Sequence, residues 1–248
     1  AKDTWDVDLV VSKNTAVQYN GQDTVEIGFA VQSDNLKVKS VASIFFAFDM
    51  DVFEFIARDP SDSSGNTYFA YESSDYQDTL SSELTDFTYQ LYSTGSGKSY
   101  LKWDAKAYIA KKGTTGYFLF QPSCGKETAC TDKIILASVL FALKPGKTFD
   151  NISSTSIRLA TKDEVAQYNQ TSAVEITNGD GISKYAILKD GTTDTLNKTP
   201  AVVWNGITPS EPAKPALGGK VTIDNTTPKF GDKLTADTSA LDYGTESK

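Results

Sequence analysis

Apolar and polar residues alternate through Trp5-Asp6-Val7-Asp8-Leu9-Val10-Val11 and again through Thr24-Val25-Glu26-Ile27-Gly28-Phe29-Ala30-Val31. A period of two places successive side chains on opposite faces, so both segments are predicted to be half-buried strands of an antiparallel sheet. The stretch Tyr19-Asn20-Gly21-Gln22-Asp23 between them has the composition of a turn. Val41 to Phe48 is nearly continuous in hydrophobicity, which predicts a strand buried on both faces. Asp49-Met50-Asp51 breaks that run before Val52-Phe53-Glu54-Phe55-Ile56 resumes it, and residues 59–66 then form a polar loop.

Farther along, residues 100–110, 116–121 and 134–144 have strand length and strand composition, as do 173–176, 184–188 and 202–204. One segment predicts a short helix near 161–169, where Thr161 and Glu164 have capping-box spacing and lead into Val165, Ala166 and Tyr168. Many short strands with little helix predict an all-β fold, an antiparallel β-sandwich, over residues 1–206. Three prolines between Thr208 and Ala216 predict a semi-rigid linker over 207–217. Residues 218–248 then run strand, turn, strand and are too few for a core of their own, so they start a truncated module or dock as a tail.

Composition removes several kinds of chemistry. The 248 residues contain no histidine, the usual proton carrier near neutral pH and the commonest ligand of zinc, copper and iron. With 32 Asp plus Glu, a carboxylate pair at glycosidase spacing arises by chance, so none is singled out and no enzyme is predicted. A net charge of −8 disfavours nucleic acid and anionic membranes as partners. No apolar run reaches the roughly 18 residues that a membrane helix requires, so no membrane insertion is predicted. The first residue is not Met, which predicts a mature or excised fragment. The two cysteines, Cys124 and Cys130, are too widely spaced for a CxxC motif. A local disulfide clasping a hairpin tip is the favoured reading, with a reduced pair as the alternative, and a disulfide implies an oxidising, extracellular location. No cofactor and no metal is predicted, and the Asp59 to Asn66 loop lacks the spacing of a calcium loop.

Nine of the 36 residues from 68 to 103 are aromatic, against 11% for the whole chain. These rings lie among Ser, Thr, Asp, Gln and Gly, the setting in which a sugar stacks on a ring while its hydroxyls find polar partners. Strand alternation assigns Phe87 and Leu91 to the core and makes Tyr92 an exposed ring, while Trp103 is a core residue or a platform. Tyr68, Tyr71 and Tyr76 sit in polar company and are predicted to be exposed. The candidate carbohydrate site is therefore Tyr68, Tyr71, Tyr76, Tyr92 and Trp103, with Asp75 and Gln77 accepting hydrogen bonds from sugar hydroxyls.

Ile44 to Phe55, a hydrophobic strand ending in an acidic turn before a second apolar strand, resembles the paired strands of cohesin modules. Leu136 to Gly146 is similar to their late strand and its exit, and Gly21 to Val25 to the turn before their second strand. The resemblance covers roughly residues 5 to 160 apart from the aromatic stretch. It implies a jelly-roll sandwich shared with carbohydrate-binding modules and found in bacterial surface complexes that degrade polysaccharides, such as the starch-adherence proteins of amylosomes. The tail from Gly218 resembles the first strands of Ig-like repeats. Two functions follow from the resemblance. The leading one is a non-catalytic extracellular module binding an α-glucan, as polysaccharide or maltooligosaccharide, through the aromatic insertion. The alternative is a cohesin-type module that docks dockerin-bearing enzymes, or an adhesin or spacer.

Overall fold

Strand after strand forms where the alternation lies. The computed structural model describes residues 3–59, 61–64, 66–80, 84, 104–192, 195–212, 218–219, 222–237 and 241–242. In chain order the strands are β1 (Asp6–Tyr19), β2 (Gln22–Gln32), β3 (Val38–Asp49), β4 (Phe53–Arg58), β5 (Tyr68–Ala70), β6 (Asp104–Lys112), β7 (Thr115–Thr128), β8 (Ile134–Leu143) and β9 (Ile157–Leu159). Among the described residues one α-helix, α1 (Lys162–Gln167), precedes β10 (Ser172–Thr177), β11 (Ser183–Leu188) and β12 (Ala201–Asn205). The chain divides into two compact units, Ala1–Ser210 and Glu211–Lys248.

The first unit is a β-sandwich. One sheet runs β12-β1-β2-β8-β4-β5, and the other β11-β10-β3-β7-β6 with β9 paired to β3. Inward residues of both sheets meet in one aromatic core, where Phe46 lies 5.3 Å from Phe118, Phe55 4.8 Å from Phe118 and Phe48 4.8 Å from Phe141, all between ring centroids. Tilted and edge-on packing of this kind suits the ring quadrupoles, and each fully buried ring contributes about 2–3 kcal/mol by area. Gly116 is part of that fit, because a Cβ there would stand 2.3 Å from the Phe48 ring.

The β1–β2 hairpin closes through Asn20 and Gly21, at φ of 51° and 78°, the left-handed pair of a two-residue hairpin turn. Nearly every strand contact is antiparallel, as expected, but β12 pairs with β1 in parallel. The long connection from β11 lets the chain return to the sheet edge in the same direction as β1. A buried carboxylate fastens this edge: Asp8 accepts from Lys133 Nζ at 2.8 Å and Lys198 Nζ at 3.0 Å. Burial pushes its pKa up, but the two ammonium groups outweigh that and lower it.

The sandwich extends past Asn205. Ile207 is buried, Ser210 N–H donates to the Ile152 carbonyl at 2.9 Å, and Ser154 N–H donates to the Ser210 carbonyl at 2.8 Å. The linker predicted from Ile207 is therefore attached to the sandwich through Ser210, because the first of its three prolines is followed by residues that satisfy the backbone of the Ile152–Ser154 turn. In the second unit β13 (Gly218–Gly219) pairs with β16 (Leu241–Asp242), and β14 (Thr222–Ile223) with β15 (Ala236–Asp237).

Candidate functional site

The described part of the aromatic stretch closes one side of the sandwich. β5 adds to the edge of β4, and a single 3-10 turn, Ser73–Asp75, carries the chain across to the other sheet. There Gln77 pairs with Ala110, and Lys111 N–H donates to the Gln77 carbonyl at 2.9 Å. Tyr76, between these anchors, has its side chain driven inward and is 6% exposed, its ring 6.2 Å from Phe48. Burial pushes its hydroxyl pKa up. Tyr71 stacks on Phe55 at 5.2 Å and lies 5.1 Å from Phe69, packed against the core.

Two rings expected at the surface, Tyr76 and Tyr71, are thus core-facing or core-packed. Their polar sequence neighbours are solvated through the turn while the rings themselves go into the gap between the sheets. Asp75 is exposed and accepts from Glu72 N–H at 2.8 Å, which closes the turn, and the Gln77 side chain is exposed. Tyr68 is half-buried, its ring 5.9 Å from the Arg58 guanidinium, in a shallow groove with Glu26, Ile56, Ser138 and Leu140. Tyr92 and Trp103, with Phe87 and Leu91, lie outside the described residues.

Of the expected Cys124–Cys130 disulfide, the Cys124 side chain lies outside the described residues. Cys130 is a free thiol, buried, with its Sγ donating to the Leu36 carbonyl at 3.3 Å. The residue is held against the end of β2, where Ser33 N–H donates to its carbonyl at 2.9 Å, and its side chain enters the core. Burial pushes its pKa up, which keeps the thiol protonated and inert. In the polar loop, Asp62 accepts from Ser64 N–H at 2.9 Å and from Thr67 N–H at 2.8 Å, so that carboxylate caps its own backbone. Among the described residues no three His, Cys, Asp or Glu side chains cluster as a metal site would require, and no helix is long and apolar enough to cross a membrane.

A different surface emerges on the outer face of the sheet built on β3. One end of that face is roofed by α1. Thr161 caps the helix, and Val165 and Tyr168 pack on Phe45, Ala47 and Tyr117. The helix is pinned by Glu164, which takes two charge-assisted bonds from Arg158, at 2.7 and 2.8 Å, and one from the Tyr117 hydroxyl at 2.7 Å. This roof explains why β3 is apolar on both faces.

Beyond the helix, Leu80 packs on the same cluster, and among the described residues no further strand or helix lies over the face. Register places Leu119 between Phe45 and Tyr108, Gln121 opposite Lys106, and Glu175 between Ser43 and Tyr185. Leu119 and Ser43 are buried as the floor, Tyr108, Tyr185, Gln121 and Glu175 are half-buried, and Lys106 is exposed. Burial pushes the Glu175 carboxyl up, opposed by a hydrogen bond with the Tyr185 side chain. The result is an amphipathic patch with two tyrosines flanking a floor of Leu119 and Ser43 and charged groups around it, a composition that suits protein contact.

No family model matches the chain, and no curated protein matches it in sequence. Among solved structures it is similar to the second type II cohesin module of the cellulosomal adaptor ScaA scaffoldin of Acetivibrio cellulolyticus, at 11% identity and a TM-score of 0.42. That similarity covers 85% of this chain and 99% of the cohesin chain.

Tyr108 and Tyr185 did not stand out in the sequence. Each sits in an ordinary alternating strand, Ala107-Tyr108-Ile109 and Lys184-Tyr185-Ala186. Alternation marks them as facing away from the core, but which strands become neighbours depends on the pairing of β10 with β3 and of β6 with β7.

Proposed function

We propose that the first unit is a non-catalytic, extracellular protein-docking module of the cohesin type, receiving a helical partner such as a dockerin on the outer face around Tyr108, Leu119, Glu175 and Tyr185. The observation that carries this reading is the patch itself: amphipathic rings beside buried Leu119 and Ser43, rimmed by Lys106, Gln121 and Glu175. Tyrosine is favoured in such contacts because it offers a large rigid surface and a hydroxyl at small entropic cost. The segments Ile44–Phe55 and Leu136–Gly146, whose patterns resemble cohesins, lie in β3, β4 and β8, with β3 at the centre of one sheet and β8 inside the other, and so support the same reading.

The α-glucan reading keeps one described ring, Tyr68, which is half-buried beside Arg58 and Glu26. A single ring in a shallow groove gives less stacking surface than the several rings the sequence suggested. Two measurements on the full chain separate the readings. Titration calorimetry with purified dockerin modules is expected to show binding that weakens at least tenfold in a Tyr108→Ala, Tyr185→Ala double variant, the scale of truncated interface anchors. Electrophoresis in amylopectin gels is expected to show unretarded migration. Retardation that Tyr68→Ala abolishes, with no dockerin bound, would replace the docking reading by the glucan one.

A further inference from the structure

Three Asn-Gly sequences occur in the chain, Asn20-Gly21, Asn178-Gly179 and Asn205-Gly206. In such a pair the backbone nitrogen of the glycine can attack the asparagine side-chain amide, because glycine has no side chain to obstruct the approach. Only at Asn178-Gly179, among the described residues, does a carboxylate meet the glycine N–H: Glu127 Oε1, at the end of β7, accepts it at 2.6 Å. A Cβ at 179 would stand 2.6 Å from Glu127 Cδ, so glycine is what lets the carboxylate come this close. The amide to be attacked is fixed as well. Asn178 is buried, its N–H donates to the Ile182 carbonyl at 3.1 Å, and its own carbonyl accepts from Gly181 N–H at 3.2 Å. Its side-chain Oδ1 accepts from Asp180 N–H at 3.0 Å and from Ile182 N–H at 2.9 Å. Two backbone donors on one carbonyl oxygen stabilise the negative charge that appears there when the carbon is attacked.

We propose that Asn178-Gly179 is a self-modifying site, where the chain closes a succinimide ring with Glu127 as general base. Gly179 N bonds to Asn178 Cγ, its proton passes to Glu127, and the N–H groups of Asp180 and Ile182 hold the negative oxygen that forms. Glu127 then gives the proton to Asn178 Nδ2, which leaves as ammonia when the Cγ–Nδ2 bond breaks. Water opens the ring at either carbonyl and leaves aspartate or isoaspartate at 178. Nucleophile, base and oxyanion donors all come from one turn and the strand beside it, so the step is intramolecular and needs no partner. That turn joins β10 to β11, the hairpin in which Glu175 lies opposite Tyr185. An isoaspartyl link lengthens its backbone by one carbon and so disturbs the face proposed for docking. This consequence rests on the docking reading, whereas the reaction itself does not.

Peptide mapping of the full chain during incubation near neutral pH tests this, with conversion to aspartate and isoaspartate followed by mass at all three Asn-Gly sequences. Asn178 is expected to convert at least about tenfold faster than Asn20 or Asn205, within what a positioned base contributes. In urea, where Glu127 no longer meets Gly179, the three rates are expected to converge. Glu127→Gln keeps an oxygen that can accept the Gly179 N–H but cannot take its proton. It is expected to slow Asn178 about tenfold and to leave Asn20 and Asn205 unchanged, those two serving as the measure of an intact fold in the same sample. Conversion at Asn178 no faster than at the other two overturns the proposal. So does a rate at Asn178 that Glu127→Gln leaves unchanged, or an excess over the other two that persists in urea.

Discussion

At Glu164 three donors converge on one carboxylate against the pull of burial. Burial raises its pKa, but the Arg158 fork, the Thr161 N–H and the Tyr117 hydroxyl outweigh it and hold the group at about 2, well below the usual carboxylate range. A depressed carboxylate pKa stabilises the fold above the unfolded-state value and loses that contribution as pH falls toward 2. The contribution is on the order of 3 kcal/mol. Urea melts at pH 7 and pH 3 are expected to differ more for the wild type than for Glu164→Gln, which removes the titration while leaving Arg158 half-buried without its anion. Tyr76→Ala is expected to cost about 3–5 kcal/mol, the range for deleting a buried ring, and Tyr68→Ala less than about 1 kcal/mol. Equal losses in thermal melts would contradict the inward placement of Tyr76. Gly116→Ala is expected to cost about 1–3 kcal/mol, because the Phe48 ring has to move within a filled core.

Among the elements, α1 is six residues long and has little stability of its own, since helices this short do not persist in water. It is held by its cap, by the Glu164 network and by Val165 and Tyr168 on the sheet. Thr161→Ala is expected to cost about 1 kcal/mol and to raise hydrogen exchange over 162–168 while leaving β3 protected. A uniform rise across the sheet would instead mean that the helix is cooperative with the whole sandwich. This element was legible in the sequence because a capping box is a local signal. So were β2, β3, β4 and β8, each marked by alternation or by a buried run between turns. The parallel pairing of β12 was not legible, because Val202-Val203-Trp204 specifies a strand but not its direction against β1. Nor was the position of Cys130, whose spacing from Cys124 fits a hairpin clasp while the core draws its side chain elsewhere.

On the scale of the whole molecule, the boundary between the units falls after Ser210, where the last backbone bonds to the sandwich are made. A chain ending at Ser210 is expected to keep the wild-type midpoint of the sandwich transition, within a degree or two. One ending at Asn205, without buried Ile207 and the Ser210 bonds, is expected to melt several degrees lower, since about 1 kcal/mol moves the midpoint of a domain this size by about 2–4 °C. Equal midpoints for the two would move the boundary back to the start of the proline-rich stretch. The sequence by itself determined the all-β class, the short helix, the main turns and the change of character after the sandwich, because those follow from local periodicity and from residues with restricted backbones. Only the tertiary structure decided where the aromatic rings went. A tyrosine among serines and aspartates has the same local pattern whether it faces water or the gap between two sheets. The choice for Tyr71 and Tyr76 was made by β5 and the Gln77 bridge, which carry the chain across the open side of the sandwich and point those rings into it. The same long-range pairing brought Tyr108 and Tyr185 onto one face, where no local signal had marked them.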